Sequence, residues 1–387
     1  MNNLVIYRKY RPQKFSEVVG QDHIIKTLTS ALKTGKVAHA YLFAGPRGTG
    51  KTTVARILAK AINCKDDSSY EPCNKCESCL EIMEGRAMDL IEIDAASNRG
   101  VEEARELRER TRFGPTHSKY KVFVIDEAHQ LTKDAFNALL KTLEEPPAHA
   151  IFILATTEPY KMLPTILSRV QRFDFRRLSL GNIVKRLEGI ARGEGIKVDE
   201  KALRIIALNS EGHMRDAESM LGQVIAFSAY ATSDVASADK SGVKEIKVED
   251  VEEILGIVDI NLAIKFIDLL AKKNSSEALS FIDKFVNQGY DLVQFIESLI
   301  NYSRKLMLLR VSNDLSKLIK EELSGEQLNT AIKQSEEFSL QEISKMIEIF
   351  INALYQMKRS SFPQINLELA SVEICGRPAS NRVERGE

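Results

Sequence analysis

The feature that most limits what this chain can become is the octapeptide Gly45-Pro46-Arg47-Gly48-Thr49-Gly50-Lys51-Thr52. It fills every fixed position of G-x-x-x-x-G-K-[ST], follows the apolar run Tyr41-Leu42-Phe43 and opens a helical pattern. Glycines let backbone N–H groups wrap a phosphate with no Cβ in the way, Lys51 reaches the β- and γ-phosphates, and the Thr52 hydroxyl ligates Mg²⁺. The helix starting near Lys51 adds the positive end of its dipole, and Thr53 joins the binding set. ATP with Mg²⁺ is the expected ligand pair. A phosphate loop between a strand and a helix also fixes the fold class as α/β with a parallel sheet.

Three more short apolar runs repeat that grammar. Leu90-Ile91-Glu92-Ile93, Val122-Phe123-Val124-Ile125 and Ile151-Phe152-Ile153-Leu154 are each followed by turn residues and a helical pattern. The sequence therefore predicts a three-layer P-loop domain over residues 1–178. After Leu178 strand signals stop and amphipathic helices take over, which predicts a small helical domain over 179–243 and an all-α domain over 244–371. Ala229–Gly242, rich in Ser, Ala and Asp, reads as an exposed loop, and residues 372–387 as a flexible tail.

A phosphate loop that hydrolyses its ligand needs carboxylates, and the run Val122–Ile125 ends in Asp126-Glu127. Asp126 is expected to hold Mg²⁺ through water and Glu127 to polarise the attacking water. His129 reads as a helix-start or packing residue in preference to a general base. The next strand ends in Ala155-Thr156-Thr157. There the Thr157 hydroxyl is placed either to bond the γ-phosphate or attacking water, or simply to close the strand.

Four of the five cysteines, Cys64, Cys73, Cys76 and Cys79, form C-x8-C-x2-C-x2-C. Four thiolates at this spacing can surround one tetrahedral ion, and Zn²⁺ is the first expectation, with an iron–sulfur cluster as the alternative. Four protein ligands leave no open position, so the site is expected to be structural, with little effect on ATP affinity. The acidic neighbours Asp66, Asp67, Glu71, Glu77, Glu81 and Glu84 argue against a DNA-reading finger.

Charge narrows the partners. The chain balances 54 basic against 54 acidic side chains, which disfavours a general nucleic-acid coat, yet residues 1–63 carry 11 basic and two acidic ones, a local field suited to phosphates. At 44% hydrophobic and 28% charged, collagen-like and disordered readings are excluded. No apolar run approaches the ~18 residues of a membrane span, and Met1–Tyr10 has no export-signal pattern, so a cytoplasmic location without membrane attachment is expected.

Together these residues resemble the gamma/tau family of bacterial DNA polymerase III clamp-loader ATPases, a branch of the AAA+ superfamily. The opening Tyr7-Arg8-Lys9-Tyr10-Arg11-Pro12 through Val18-Val19-Gly20-Gln21 is similar to that family's adenine-side segment. The resemblance implies that Tyr7, Arg8, Tyr10, Arg11, Pro12, Val18 and Val19 surround the base. The cysteine cluster at 64–79 is similar to the family's zinc module. Ile166-Leu167-Ser168-Arg169 resembles the motif whose arginine reaches a neighbour's γ-phosphate as a finger, with Val170 where the family has Cys. Gly212-His213-Met214-Arg215-Asp216 resembles the sensor-2 motif, whose arginine touches its own chain's γ-phosphate.

The resemblance further implies a lid at 179–243, a collar or oligomerisation domain at 244–371, and a hetero-oligomeric ring that uses ATP to load a sliding clamp onto primer-template DNA. Ending at Glu387, the chain is expected to be the short, gamma-type form. Two competing readings are an AAA+ DNA-remodelling or branch-migration motor, which leaves the cysteines and third domain unexplained, and a non-hydrolysing scaffold, which the intact Lys51, Thr52, Asp126 and Glu127 oppose.

Overall fold

The computed structural model describes residues 5–66, 69–97, 100–231, 245–255, 260–312, 319, 323 and 325–376. They fall into two compact units, Met1–Lys247 and Val248–Glu387.

The first unit is built on a five-stranded sheet: β1 (Ala40–Ala44), β2 (Leu90–Asp94), β3 (Lys121–Asp126), β4 (Ala150–Thr156) and β5 (Gln171–Asp174), in the order β2-β3-β4-β1-β5. All neighbours are parallel, with Ala40 opposite Phe152 and Tyr41 opposite Gln171. Side chains alternate across a strand, so each apolar run feeds two cores. Tyr41, Phe43, Val122, Val124, Ile151 and Ile153 pack on one face with Phe15, Ile24, Val54 and Leu58. Leu42, Phe123, Ile125, Phe152 and Leu154 pack on the other with Leu139, Leu143 and Ile166. After the short α1 (Ile6–Lys9), which buries no residue, the helices covering these faces are α2 (Asp22–Lys33), α3 (Lys51–Asn63), α4 (Glu77–Glu84), α5 (Val101–Thr111), α6 (Lys133–Glu144) and α7 (Pro164–Leu167). The expected three-layer α/β architecture is thus present.

Two details depart from the sequence reading. β5, Gln-Arg-Phe-Asp, was not anticipated, because only Phe173 of it is buried and an edge strand needs only one apolar face. Strand signals also do not end at Leu178: β6 (Lys197–Val198) and β7 (Glu245–Ile246) form a parallel pair, too short to show a period. α8 (Leu180–Gly193) precedes this pair, and α9 (Glu200–Asn209) and α10 (Met214–Ala231) lie between its two strands in the chain. Ile183, Leu187, Ile190, Leu203, Ile206 and Leu221 are buried along these helices. Most of the loop expected at Ala229–Gly242 lies outside the described residues.

The described elements of the second unit are all helices: α11 (Val248–Leu255), α12 (Ile260–Ala271), α13 (Ser275–Asn287), α14 (Leu292–Val311), α15 (Gly325–Glu337), α16 (Leu340–Met357) and α17 (Pro363–Cys375). Phe266, Phe285, Phe295, Tyr302 and Phe350 centre one core. A buried polar pair crosses it: the Tyr302 hydroxyl donates to Gln334 Oε1 at 2.7 Å, and Gln334 Nε2 donates to the Ile264 carbonyl at 3.0 Å. α17 continues past residue 371, and residues 377–387 of the expected tail lie outside the described part. Among the described residues no helix is long and apolar enough to cross a membrane.

Candidate nucleotide and metal sites

The loop from Gly45 to Gly50 leaves the C-terminal end of β1 and delivers Lys51 as the first residue of α3. Gly45 has φ 146°, and a Cβ there would sit 2.5 Å from the Phe175 carbonyl oxygen, so only glycine fits. Gly48 has φ 73° and faces the start of α10, where a Cβ would meet His213 Cβ at 3.2 Å and Arg215 Cβ at 3.6 Å. Lys51 is buried and donates to the Gly45 and Pro46 carbonyls at 2.8 Å each. Burial lowers its ammonium pKa, against the pull of Glu127 and Asp126. The Thr49 hydroxyl also donates to Pro46 O, while Arg47 is exposed.

Facing this loop, β3 brings Asp126 to the Thr52 hydroxyl, which donates to Oδ2 at 2.8 Å. A hydroxyl and a carboxylate in contact beside a phosphate loop form the oxygen-rich donor set that Mg²⁺ takes. Glu127 has φ 46°, a left-handed backbone that an L-residue adopts only when its surroundings enforce it. The backbone N–H of Glu127 donates to Asp126 Oδ1 at 3.0 Å, and its Oε2 accepts from the Thr157 hydroxyl at 2.9 Å. Thr157 thus contacts the carboxylate and does more than close its strand. His129, in a short 3₁₀ turn, has its Nδ1 3.0 Å from Thr156 Oγ1 and 3.4 Å from Glu127 Oε2, and its Nε2 2.9 Å from Glu158 Oε2.

The N-terminal segment bridges this site to α8 and α10. Arg11 Nε donates to Thr53 Oγ1 at 3.1 Å, and burial lowers its pKa. Arg215 lies with its guanidinium 4.8 Å from the Tyr7 ring centroid, and hydrogen bonding from Arg215 lowers the Tyr7 pKa. Tyr10 is raised to about 12 by burial and by Glu194, and its carbonyl accepts from Arg186 of α8. Arg186 also approaches the buried Glu218 of α10 at 3.5 Å. Burial pushes Glu218 up to about 7, with Arg186 opposing. Pro12, Val18 and Val19 are half-buried and Arg8 is exposed.

Arg169, expected to act on a neighbour's nucleotide, lies away from this chain's phosphate loop. It stands just before β5, whose Gln171 pairs with Tyr41 near the N-terminal end of β1, so the sheet separates it from the phosphate loop. There it donates to Thr165 O at 2.7 Å and Ser168 Oγ at 3.0 Å and pairs with Glu144 Oε1 at 2.5 Å. With His39, Leu143, Glu144, Ser168, Val170 and Gln171 it lines an open cavity of about 760 Å³. Val170 packs on the apolar core below.

The four cysteines sit at the far end of α3. Their Sγ atoms all lie within 4.8 Å of one another, close to the ~3.8 Å separation that four sulfurs take around tetrahedral Zn²⁺. Burial works against ionisation of Cys73, yet N–H groups of Lys75 and Cys76, pointing at its sulfur, bring it down to about 6. Burial holds Cys79 well above the usual thiol range. The donor set and spacing fit a zinc site.

Comparison with known proteins decides the family. Subunit gamma of DNA polymerase III from Buchnera aphidicola is 34% identical over 375 residues, spanning 97% of this chain and 99% of that one. The chain belongs to the DNA polymerase III gamma/tau family. Subunit tau from Bacillus subtilis is 45% identical over 375 residues, and this chain spans 97% of itself but 64% of that longer relative. Residues 246–380 match the gamma and tau domain III, residues 182–230 the clamp loader subunit ATPase lid domain, and residues 20–179 the DNA polymerase III delta subunit. Among solved structures, the Thermotoga maritima RuvB branch migration motor is 20% identical over 67% of this chain and 79% of that one, with a TM-score of 0.48. That partial likeness says nothing about activity.

Against the gamma/tau motifs, the sequence reading missed Gln13, Lys60, Glu71, Arg186 and Glu218. Glu218 left a trace, an acid standing among the buried positions Ala217, Leu221 and Val224. So did Lys60, three residues after buried Ile57 and four before Cys64. Gln13, Glu71 and Arg186 left none.

Proposed function

We propose that this gamma/tau-family chain is an ATPase subunit of the bacterial replicative clamp loader, which in a hetero-oligomeric ring uses ATP binding and hydrolysis to place a sliding clamp on primer-template DNA. The observation that carries the reading is the convergence of Lys51, Thr52, Asp126, Glu127 and Thr157 at the C-terminal ends of β1, β3 and β4. ATP would lie with its phosphates in the Gly45–Thr52 loop and its base against Tyr7, Arg8, Tyr10, Arg11, Pro12, Val18 and Val19, while Thr53 supports Arg11. Lys51 would turn from the loop carbonyls to the β- and γ-phosphates, with Thr52 and Asp126 holding Mg²⁺, which neutralises charge on the phosphates.

Glu127 takes the role of orienting the attacking water, with Thr157 and the left-handed backbone fixing its carboxylate. Arg215, at the start of α10 above Gly48, is placed to leave the Tyr7 ring for the γ-phosphate of its own chain. Arg169, at the other end of the sheet, would serve the ATP of a neighbouring subunit. Cys64, Cys73, Cys76 and Cys79 would hold Zn²⁺ as a structural ion, and the chain would work in the cytoplasm.

The test is ATP hydrolysis with and without a sliding clamp and primed DNA. Turnover that rises when both are added, and that Lys51→Ala abolishes, is the expected result. Turnover indifferent to the clamp contradicts the clamp-loading role.

A further inference from the structure

The buried lysine beside the cysteine lobe takes no part in the chemistry above. Lys60 is 1% exposed, and its ammonium donates at 2.8 Å to the Gln13 carbonyl, to Gln13 Oε1 and to Asn74 Oδ1. Asn74 lies between Cys73 and Cys76, with a left-handed φ of 57°. Gln13 passes the connection on: its Nε2 donates to the Arg11 carbonyl at 3.0 Å, and Arg11 bonds Thr53 in the first turn of α3.

A second tie runs in parallel. The Glu71 carboxylate, also in the lobe, accepts from the backbone N–H of Phe15 at 2.8 Å and of Ser16 at 2.9 Å. These are charge-assisted bonds to otherwise unpaired donors at the start of a 3₁₀ turn, the stronger class of hydrogen bond. α3 itself spans 13 residues from Lys51 to Asn63, with Cys64 next, so its ends are roughly 20 Å apart. The lobe is far from the phosphates yet bonded to the segment that would flank the base.

We propose that the four-cysteine lobe is an anchor for residues 11–16, acting through Lys60 and Glu71 as positioning residues, so that nucleotide affinity depends on the integrity of the lobe. The inference rests on the reading of residues 7–19 as the adenine side. It replaces the expectation that the metal lobe leaves ATP affinity unchanged. A buried ammonium held by three fixed acceptors tolerates little displacement of any of them, so a disordered lobe releases Gln13 and then Arg11.

The experiment measures affinity for a fluorescent mant-ATP analogue, and zinc by elemental analysis, on the full chain. Glu71→Ala is at the half-exposed rim of the lobe and spares the cysteines. It should keep its zinc while nucleotide binding weakens by roughly ten- to a hundredfold, the scale of losing charged hydrogen bonds. Lys60→Met should do the same. Cys76→Ser should lose zinc and weaken binding by a similar factor, and combined with Glu71→Ala it should add less than the product of the two effects. Unchanged affinity in zinc-replete Glu71→Ala overturns the anchor, as do full multiplicative effects in the double variant. If Cys76→Ser does not fold, Glu71→Ala alone decides. A wild-type chain that fails to bind mant-ATP overturns the nucleotide reading itself, and the anchor with it.

Discussion

Arg169→Ala separates a ring mechanism from a self-contained one. Gln171, two residues after it, pairs with Tyr41, and the phosphate loop leaves β1 after Ala44. The intervening strand alone covers ~10 Å at about 3.3 Å per residue, and the guanidinium is turned aside by Thr165, Ser168 and Glu144. The arginine therefore has no path to its own γ-phosphate. Its ion pair with Glu144 is part-exposed on both sides, which limits its contribution to about 1 kcal/mol or less and the melting shift to roughly 4 °C. An arginine finger contributes about 10³–10⁵ in rate, or ~4–7 kcal/mol, so loss of turnover in the assembled ring should far exceed any loss of stability. Steady-state hydrolysis should be measured for the isolated chain, for the ring, and for rings mixed from Arg169→Ala and Lys51→Ala subunits. Mixing should restore activity where an intact loop meets an intact finger, whereas Arg215→Ala mixed with Lys51→Ala should restore much less. If the isolated chain loses as much rate as the ring, Arg169 acts in its own subunit and the interfacial reasoning is wrong.

Lys51→Ala should weaken ATP binding, whereas Glu127→Gln should bind normally and turn over at least ~100-fold more slowly; equal turnover by Glu127→Gln and wild type in a steady-state assay removes Glu127 from the water-orienting role. Glu218 binds its proton more tightly in the fold, at about 7 against an ordinary 4.5, so the native state gains protons relative to the unfolded chain and stability should fall as pH rises between those values. At ~1.4 kcal/mol per tenfold change in proton affinity this is worth about 3 kcal/mol. Thermal melts of Glu218→Gln should show a gain over wild type that is larger near pH 8 than near pH 5, and an equal gain at both refutes the assignment. Cys76→Ser should lose its metal and melt at lower temperature; elemental analysis of the wild-type chain that finds iron in place of zinc overturns the zinc assignment.

What the sequence reveals follows from where its signals are local. β1, β3 and β4 are legible because both their faces are buried, which demands unbroken apolar runs. β5 is not, since its exposed Gln171, Arg172 and Asp174 are what an edge requires. The phosphate loop and the Asp126-Glu127 strand end are contiguous motifs and stand out unaided. Glu127's left-handed backbone and its bond to Thr157, 30 residues away, are products of the assembled sheet. The same is true of Glu71, whose partners are backbone N–H groups 55 and 56 residues distant, and of Lys60, which meets Gln13 across 47 residues and Asn74 across 14. That Arg169 lies at the opposite end of the sheet depends on the strand register, which no periodicity encodes.

The most direct test of the central claim is ATP-dependent retention of a sliding clamp on circular primed DNA, with this chain as the loader ATPase alongside its partner subunits. The expected result is retention that requires ATP, survives removal of free protein, and disappears with Lys51→Ala. DNA remodelling or strand separation that proceeds without a clamp, with no clamp retained on the circle, contradicts it.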